Sequence, residues 1–96
     1  YHAYHLYPLL IDFKKLNLDK SSLMNHFLKN NFRLQVHYKP IHTYRLYKKL
    51  FKFKNNDFPA SLKFFNDEIS LPIFPGLSND IQSKFIDLFD KFLKSK

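Results

Sequence analysis

Residues 32–40 read Phe32-Arg33-Leu34-Gln35-Val36-His37-Tyr38-Lys39-Pro40, and the alternation within them sets the architecture. Successive side chains of an extended chain point to opposite faces, so Phe32, Leu34, Val36 and Tyr38 share one side and Arg33, Gln35 and His37 the other. Pro40 ends the run, because it lacks an N–H and holds the residue before it extended. A strand with one apolar face needs helices to cover that face, and the flanking sequence supplies them.

Upstream, Asn30-Asn31 stops a helix, since asparagine tolerates the left-handed conformation of a helix end. That helix opens at Leu18-Asp19. Asp19 is a good N-cap, Leu18 and Leu23 stand at the two positions of a hydrophobic staple, and Leu23, Met24, Phe27 and Leu28 form its apolar stripe. Before it, residues 4–13 form a strand-like run whose Pro8 cannot donate to a ladder, which predicts an edge position or a bulge. Downstream, Thr43 is expected to cap a short basic helix to Phe51 that turns Tyr44, Tyr47, Leu50 and Phe51 inward. A polar loop over residues 52–58 follows, then a helix with Pro59 in its first turn and Leu62, Phe65 and Ile69 on its apolar side. Residues 69–74 read as a short apolar strand, broken by Pro72 and closed by the turn Pro75-Gly76. After Ser78-Asn79-Asp80, the residues Ile81, Phe85, Leu88, Phe89 and Phe92 recur on one face of a last helix.

The order is strand, helix, strand, two helices, strand, helix. It predicts an α+β two-layer sandwich, a three-stranded sheet with helices on one face, as a single domain over residues 1–96. Gly76 is the single glycine, so no glycine-rich phosphate loop can be built.

Composition narrows the function classes. The absence of cysteine excludes disulfides, thiolate metal sites and cysteine nucleophiles, and it suits a cytoplasmic protein. No apolar run approaches the roughly 18–20 residues of a membrane span, and no signal peptide is legible. The net charge of +8 raises the question of nucleic acid, and a freestanding basic module is the rival reading from another class. However, 14 of the 16 basic residues are lysine, and only Arg33 and Arg45 offer the fork that bidentate recognition favours. A solvated lysine surface, with neither nucleic acid nor membrane as partner, is the simpler account.

Five histidines invite a metal reading. His2 and His5 are three apart and His37 and His42 five apart, but no further ligand is spaced to complete either pair, so no metal site is expected. His5 reads as a polar tip on an edge strand and His26 as a solvated helix position. A spatial serine–histidine–acid arrangement stays open at this level, although no nucleophile-elbow motif occurs. The remaining concentration of hydrogen-bonding groups is residues 35–42, at a strand end beside a proline-stiffened turn, where binding groups are often placed.

Four phrases then stand in order: residues 4–8 (Tyr-His-Leu-Tyr-Pro), residues 35–41 (Gln-Val-His-Tyr-Lys-Pro-Ile), Phe58-Pro59, and residues 69–77 (Ile-Ser-Leu-Pro-Ile-Phe-Pro-Gly-Leu). In this order they resemble the carboxy-terminal part of the DegT/DnrJ/StrS sugar-nucleotide aminotransferases. The resemblance runs from residue 1 to 96 and implies the small domain of a fold-type I pyridoxal-phosphate enzyme. It implies that Gln35, Val36, His37 and Tyr38 contact a UDP-sugar with a 4-keto group, with a perosamine-type enzyme as a related alternative. It further implies glutamate as amino donor, a homodimeric parent, and pyridoxal phosphate held by a large domain upstream of Tyr1. No catalytic or cofactor-binding residue is then expected here, and the 96 residues alone are expected to be inactive.

Overall fold

The computed structural model describes residue 3 and residues 5–96. Its elements are β1 (Tyr7–Leu10), α1 (Lys20–Lys29), α2 (Arg45–Phe51), α3 (Pro59–Asp67), β2 (Glu68–Leu71) and α4 (Asn79–Lys94), with single 3₁₀ turns at Ile41–Thr43 and Asn55–Asp57. Tyr4 and His2, which the sequence reading used, lie outside the described residues.

The helix ends form for the reasons the sequence carries. Asp19 is extended and its carboxylate accepts from the Ser22 N–H at 2.7 Å and the Ser22 hydroxyl at 2.8 Å. Asn31 takes the left-handed conformation after α1, with φ 66°. Ser78 caps α4 by accepting from the Ile81 N–H. Pro59 opens α3. Between β2 and α4, Gly76 has φ 87° and Leu77 N–H reaches the Phe74 carbonyl at 3.2 Å, a turn that needs a positive φ at its third position.

The core is largely aromatic. Leu23 and Phe27 of α1 and Phe85 and Phe92 of α4 pack with Ile11, Phe13, Leu34 and Ile69. Phe27 stacks on Phe85 at 4.6 Å between ring centroids and meets Phe32 edge-on at 6.3 Å, both favourable aromatic geometries. His26 is not a solvated position: its Nε2 lies 3.0 Å from the Leu88 carbonyl and ties α1 to α4.

The sheet departs from expectation. β1 and β2 pair antiparallel, Tyr7 opposite Leu71 and Leu10 opposite Glu68, and no third strand forms among the described residues. Residues 32–38 contribute one bridge, Gln35 opposite Ser70, with the Ser70 N–H donating to the Gln35 carbonyl at 2.8 Å. Continued by one step, that register would set His37 against the Glu68 carbonyl. Instead the His37 N–H donates to Glu68 Oε2 at 3.0 Å, so a side chain stands in for the backbone and the ladder ends. Tyr38, expected on the apolar side, is 66% exposed.

The Ser70 amide faces Gln35, so Pro8 opposite it on β1 occupies a pair without backbone hydrogen bonds. The missing N–H of Pro8 therefore falls on the outer edge, as the edge-strand expectation requires. α2 also corrects the reading. Its N-cap is Tyr44, the Thr43 hydroxyl donates to the Pro40 carbonyl, and Tyr44, Tyr47, Leu50 and Phe51 are exposed where burial was expected. Their apolar faces stack on one another, Tyr47 on Phe51 and Phe51 on Phe53, along the surface.

Candidate functional site

β2 reads Glu68-Ile69-Ser70-Leu71, and its alternation sorts chemistry from core. Ile69 enters the core, while Glu68 and Ser70 share the opposite face, beside residues 35–37. Glu68 is fully buried and Ser70 nearly so. A buried carboxylate is tolerated when hydrogen bonds replace its water. Here Oε2 accepts from the His37 N–H and Oε1 accepts from the Ser70 hydroxyl. Lys20 lies close enough to stabilise that charge. Burial pushes its ammonium below the usual lysine range, and the carboxylates of Glu68 and Asp67 oppose that shift. Its Nζ donates to the Phe65 carbonyl at 2.7 Å.

Ser70 Oγ also lies 2.6 Å from His37 Nδ1. The three side chains form a line from Glu68 through Ser70 to His37. A hydrolytic triad has the histidine in the middle, as base to the serine. With the serine in the middle and buried, no nucleophile is presented, and the serine–histidine–acid possibility is resolved as a support for the imidazole.

His37 is half-buried and lines an open cleft of about 290 Å³. Gln35, Tyr38 and Arg33 line it from the same segment, and Ser70 and residues 71–74 from β2 and its turn, with His5 and Leu6 at its end. The structure thus brings Gln35, His37 and Tyr38 to one cleft. Val36 is half-buried and lines none of it. The His37 and Tyr38 rings meet edge-on at 4.6 Å, across a cis peptide bond. Lys39 Nζ sits 5.1 Å from the centre of the Tyr44 ring, a cation–π geometry.

His42 is not part of the cleft. It is buried, its Nε2 is 3.0 Å from the Asn55 carbonyl, and its ring packs on Phe58. Among the described residues no three metal-ligating side chains converge, and no helix is long and apolar enough to cross a membrane. A larger groove of about 440 Å³ runs between the sheet and α4, but Leu9, Phe85, Ile86 and Phe89 make it chiefly apolar. The smaller cleft is the one with amide, imidazole, phenol and guanidinium groups converging, the donor and acceptor set that orients a polar ligand. Glu68 and Ser70 were not singled out from sequence as site residues. The alternation of Glu68 to Leu71 carried the signal, hidden because the strand was read as starting one residue later.

Known proteins place this arrangement in a family. Residues 1–90 match the model of the DegT/DnrJ/EryC1/StrS aminotransferase family. An uncharacterised protein of Methanocaldococcus jannaschii is 39% identical over 79 residues, which cover 82% of this chain and 20% of that protein. The UDP-4-amino-4,6-dideoxy-N-acetyl-beta-L-altrosamine transaminase of Helicobacter pylori is 33% identical over 92 residues, covering 92% of this chain and 24% of the enzyme. Among solved structures, Helicobacter pylori PseC, an aminotransferase of pseudaminic acid biosynthesis, superposes with a TM-score of 0.83 at 32% identity, covering 96% of this chain and 24% of that one. A proposed sugar aminotransferase of Streptococcus pneumoniae in its PMP form gives a TM-score of 0.77 at 28% identity, covering 95% and 22%. The chain thus spans between a fifth and a quarter of the length of these relatives. The fold, the ordered motifs and the extent of the match agree: the chain belongs to the DegT/DnrJ/EryC1/StrS aminotransferase family.

Proposed function

We propose that these 96 residues form the small domain of a pyridoxal-phosphate-dependent aminotransferase that aminates a UDP-linked 4-keto-6-deoxy-N-acetylhexosamine, as in pseudaminic acid synthesis. Gln35, Val36, His37 and Tyr38 are the segment we assign to the sugar nucleotide, with Val36 acting through packing and the other three through the cleft. The observation that carries the reading is this cleft on a fold that superposes on PseC over nearly the whole chain. Amide, imidazole and phenol groups orient sugar hydroxyls, and Arg33 supplies a permanent cation for a diphosphate.

Members of the family use pyridoxal phosphate, which when bound carries the amino group between donor and acceptor. The residues described here do not fit that cofactor. No lysine and no carboxylate lines the cleft, and the single glycine sits in a surface turn. We therefore assign the cofactor to the large domain of the parent chain, with glutamate as donor, and no catalytic residue to these 96. The exposed apolar side of α2 supports docking on that large domain, within a homodimeric parent in the cytoplasm.

Titrating UDP-N-acetylglucosamine into the ¹⁵N-labelled chain should move amide signals of residues 33–38 and 70–74. Movement at Ile86 and Leu93 of the apolar groove instead would refute the assignment. In a parent enzyme carrying both domains, His37→Ala should lower kcat/KM by about 5- to 150-fold, the equivalent of about 1–3 kcal/mol for a lost substrate hydrogen bond. In the free domain the same change removes the bond to Ser70 and should cost about 0.5–1.5 kcal/mol.

A further inference from the structure

We propose that Glu68 and Ser70 fix the tautomer of His37, so that in its neutral form the ring carries its proton on Nδ1 and meets its ligand through an unprotonated Nε2. The inference rests on the reading of the cleft given above and adds which part of the substrate His37 recognises.

The argument is a count of protons along the line. A carboxylate has only acceptors, and both oxygens of Glu68 are engaged, Oε2 by the His37 N–H and Oε1 by the Ser70 hydroxyl. Ser70 has one proton, and it is given to Glu68. The contact of 2.6 Å between Ser70 Oγ and His37 Nδ1 then has a donor only if Nδ1 carries a hydrogen. A neutral imidazole with Nδ1–H has a bare Nε2. Glu68 is fully buried, Ser70 nearly so, and both lie on a paired strand, so water cannot readily supply alternative partners to the line.

The consequence is selectivity by group. With Nδ1 committed to Ser70, the nitrogen left to a ligand is Nε2, and it accepts. It suits a hydroxyl or an amide N–H, such as a ribose or sugar hydroxyl or an N-acetyl group. It is mismatched to a phosphate oxygen, itself an acceptor. Among the described residues lining the cleft, Arg33 is the permanently charged donor, which divides the labour: Arg33 for the diphosphate, His37 for a hydroxyl or amide. Glu68 and Ser70 are positioning residues in this scheme: Glu68 does not line the cleft, and the single proton of Ser70, which does line it, is given to Glu68.

Long-range ¹H–¹⁵N correlation spectra of the labelled, ligand-free chain distinguish a protonated from a bare ring nitrogen. Neutral exposed imidazoles favour Nε2–H, and exposed His5 provides the internal reference. At a pH where the ring is neutral, His37 should show Nδ1–H. Ser70→Ala should return it to the Nε2–H pattern of His5. Glu68→Gln should reverse it outright: the amide oxygen keeps the His37 N–H, the amide NH₂ donates to Ser70 Oγ, and the serine proton turns towards Nδ1. Finding Nε2–H in the wild type overturns the proposal, and so does Nδ1–H persisting in Ser70→Ala. Should Glu68→Gln fail to fold, the wild-type and Ser70→Ala spectra decide alone. The UDP-sugar titration is independent of these spectra. Nδ1–H without any response to UDP-sugar would leave the lock standing and remove the binding reading.

Discussion

Truncating Phe27 to alanine should come close to unfolding this domain, and the structure fixes why. The side chain is fully buried between α1 and α4, stacked on Phe85 and edge-on to Phe32, with Phe89 also within aromatic range at 6.1 Å. Phe→Ala changes in cores cost about 3–5 kcal/mol, the sum of lost transfer energy and the cavity left behind. The upper half of that range applies, because the neighbours are rigid rings on α4 and on the segment after α1 that cannot collapse into a void without leaving their own contacts. At about 0.05–0.15 kcal/mol per residue, a chain of this length has roughly 5–14 kcal/mol in total. The loss is therefore between a quarter and nearly all of the stability. For a domain of this size each kcal/mol moves Tm by about 4–8 °C, so Tm should fall by at least about 16 °C. The matched control is Phe51→Ala, equally large but 61% exposed on α2, which should stay within about 0.5 kcal/mol of wild type. Urea unfolding followed by far-ultraviolet circular dichroism measures both. A Phe27→Ala loss below about 1 kcal/mol, or a Phe51→Ala loss of equal size, would show that the core lies elsewhere.

Two further outcomes test local devices. Gly76→Ala meets nothing within 4 Å, so its cost should come from the backbone alone, about 1–2 kcal/mol for a side chain forced to φ 87°, read from the urea midpoint; no change would mean the turn has another conformation. The Ser22 hydroxyl, and then its N–H, hold the Asp19 carboxyl below its ordinary 3.8, so the stability it contributes is full above that value and fades as pH falls through the lowered one. The Tm difference between wild type and Asp19→Asn should accordingly shrink on acidification from about pH 6 towards pH 2, and a difference independent of pH would dismiss the charged cap.

What was legible in the sequence was local. The Asp19 and Ser78 caps, the Asn31 stop, Pro59 at the start of α3, the Pro75-Gly76 turn and the phenylalanine face of α4 each depend on a few neighbouring residues. Pro8 marked an edge because a missing donor is a property of one residue. The failure of the expected third strand was not legible, because its ladder is cut short by the side chain of Glu68, 31 positions from His37, and no local pattern announces that substitution. α2 misled for a different reason. Its apolar residues do carry a burial signal, but among the described residues nothing covers Leu46, Leu50 and Phe51, so the periodicity spoke of a surface to be met and not of this core. At the site, Gln35 and His37 could be found from their own segment, whereas Glu68 and Ser70 mattered only once folding set β2 beside it.

The position of Pro8 bears on how such a small sheet coexists with copies of itself. On the outer side of β1 the backbone groups not used by β2 alternate along the strand, and residues 8 and 10 are the ones that face outward. A foreign strand seeking to extend the sheet would look for a donor at both, and finds none at Pro8. One of the two outward donors of the strand is missing, so a templated strand would have to bulge or leave an acceptor unpaired there. One imino acid thereby makes the sheet a poor seed for fibrillar growth. That protection matters most in a 96-residue unit with much exposed apolar surface and few strands to bury.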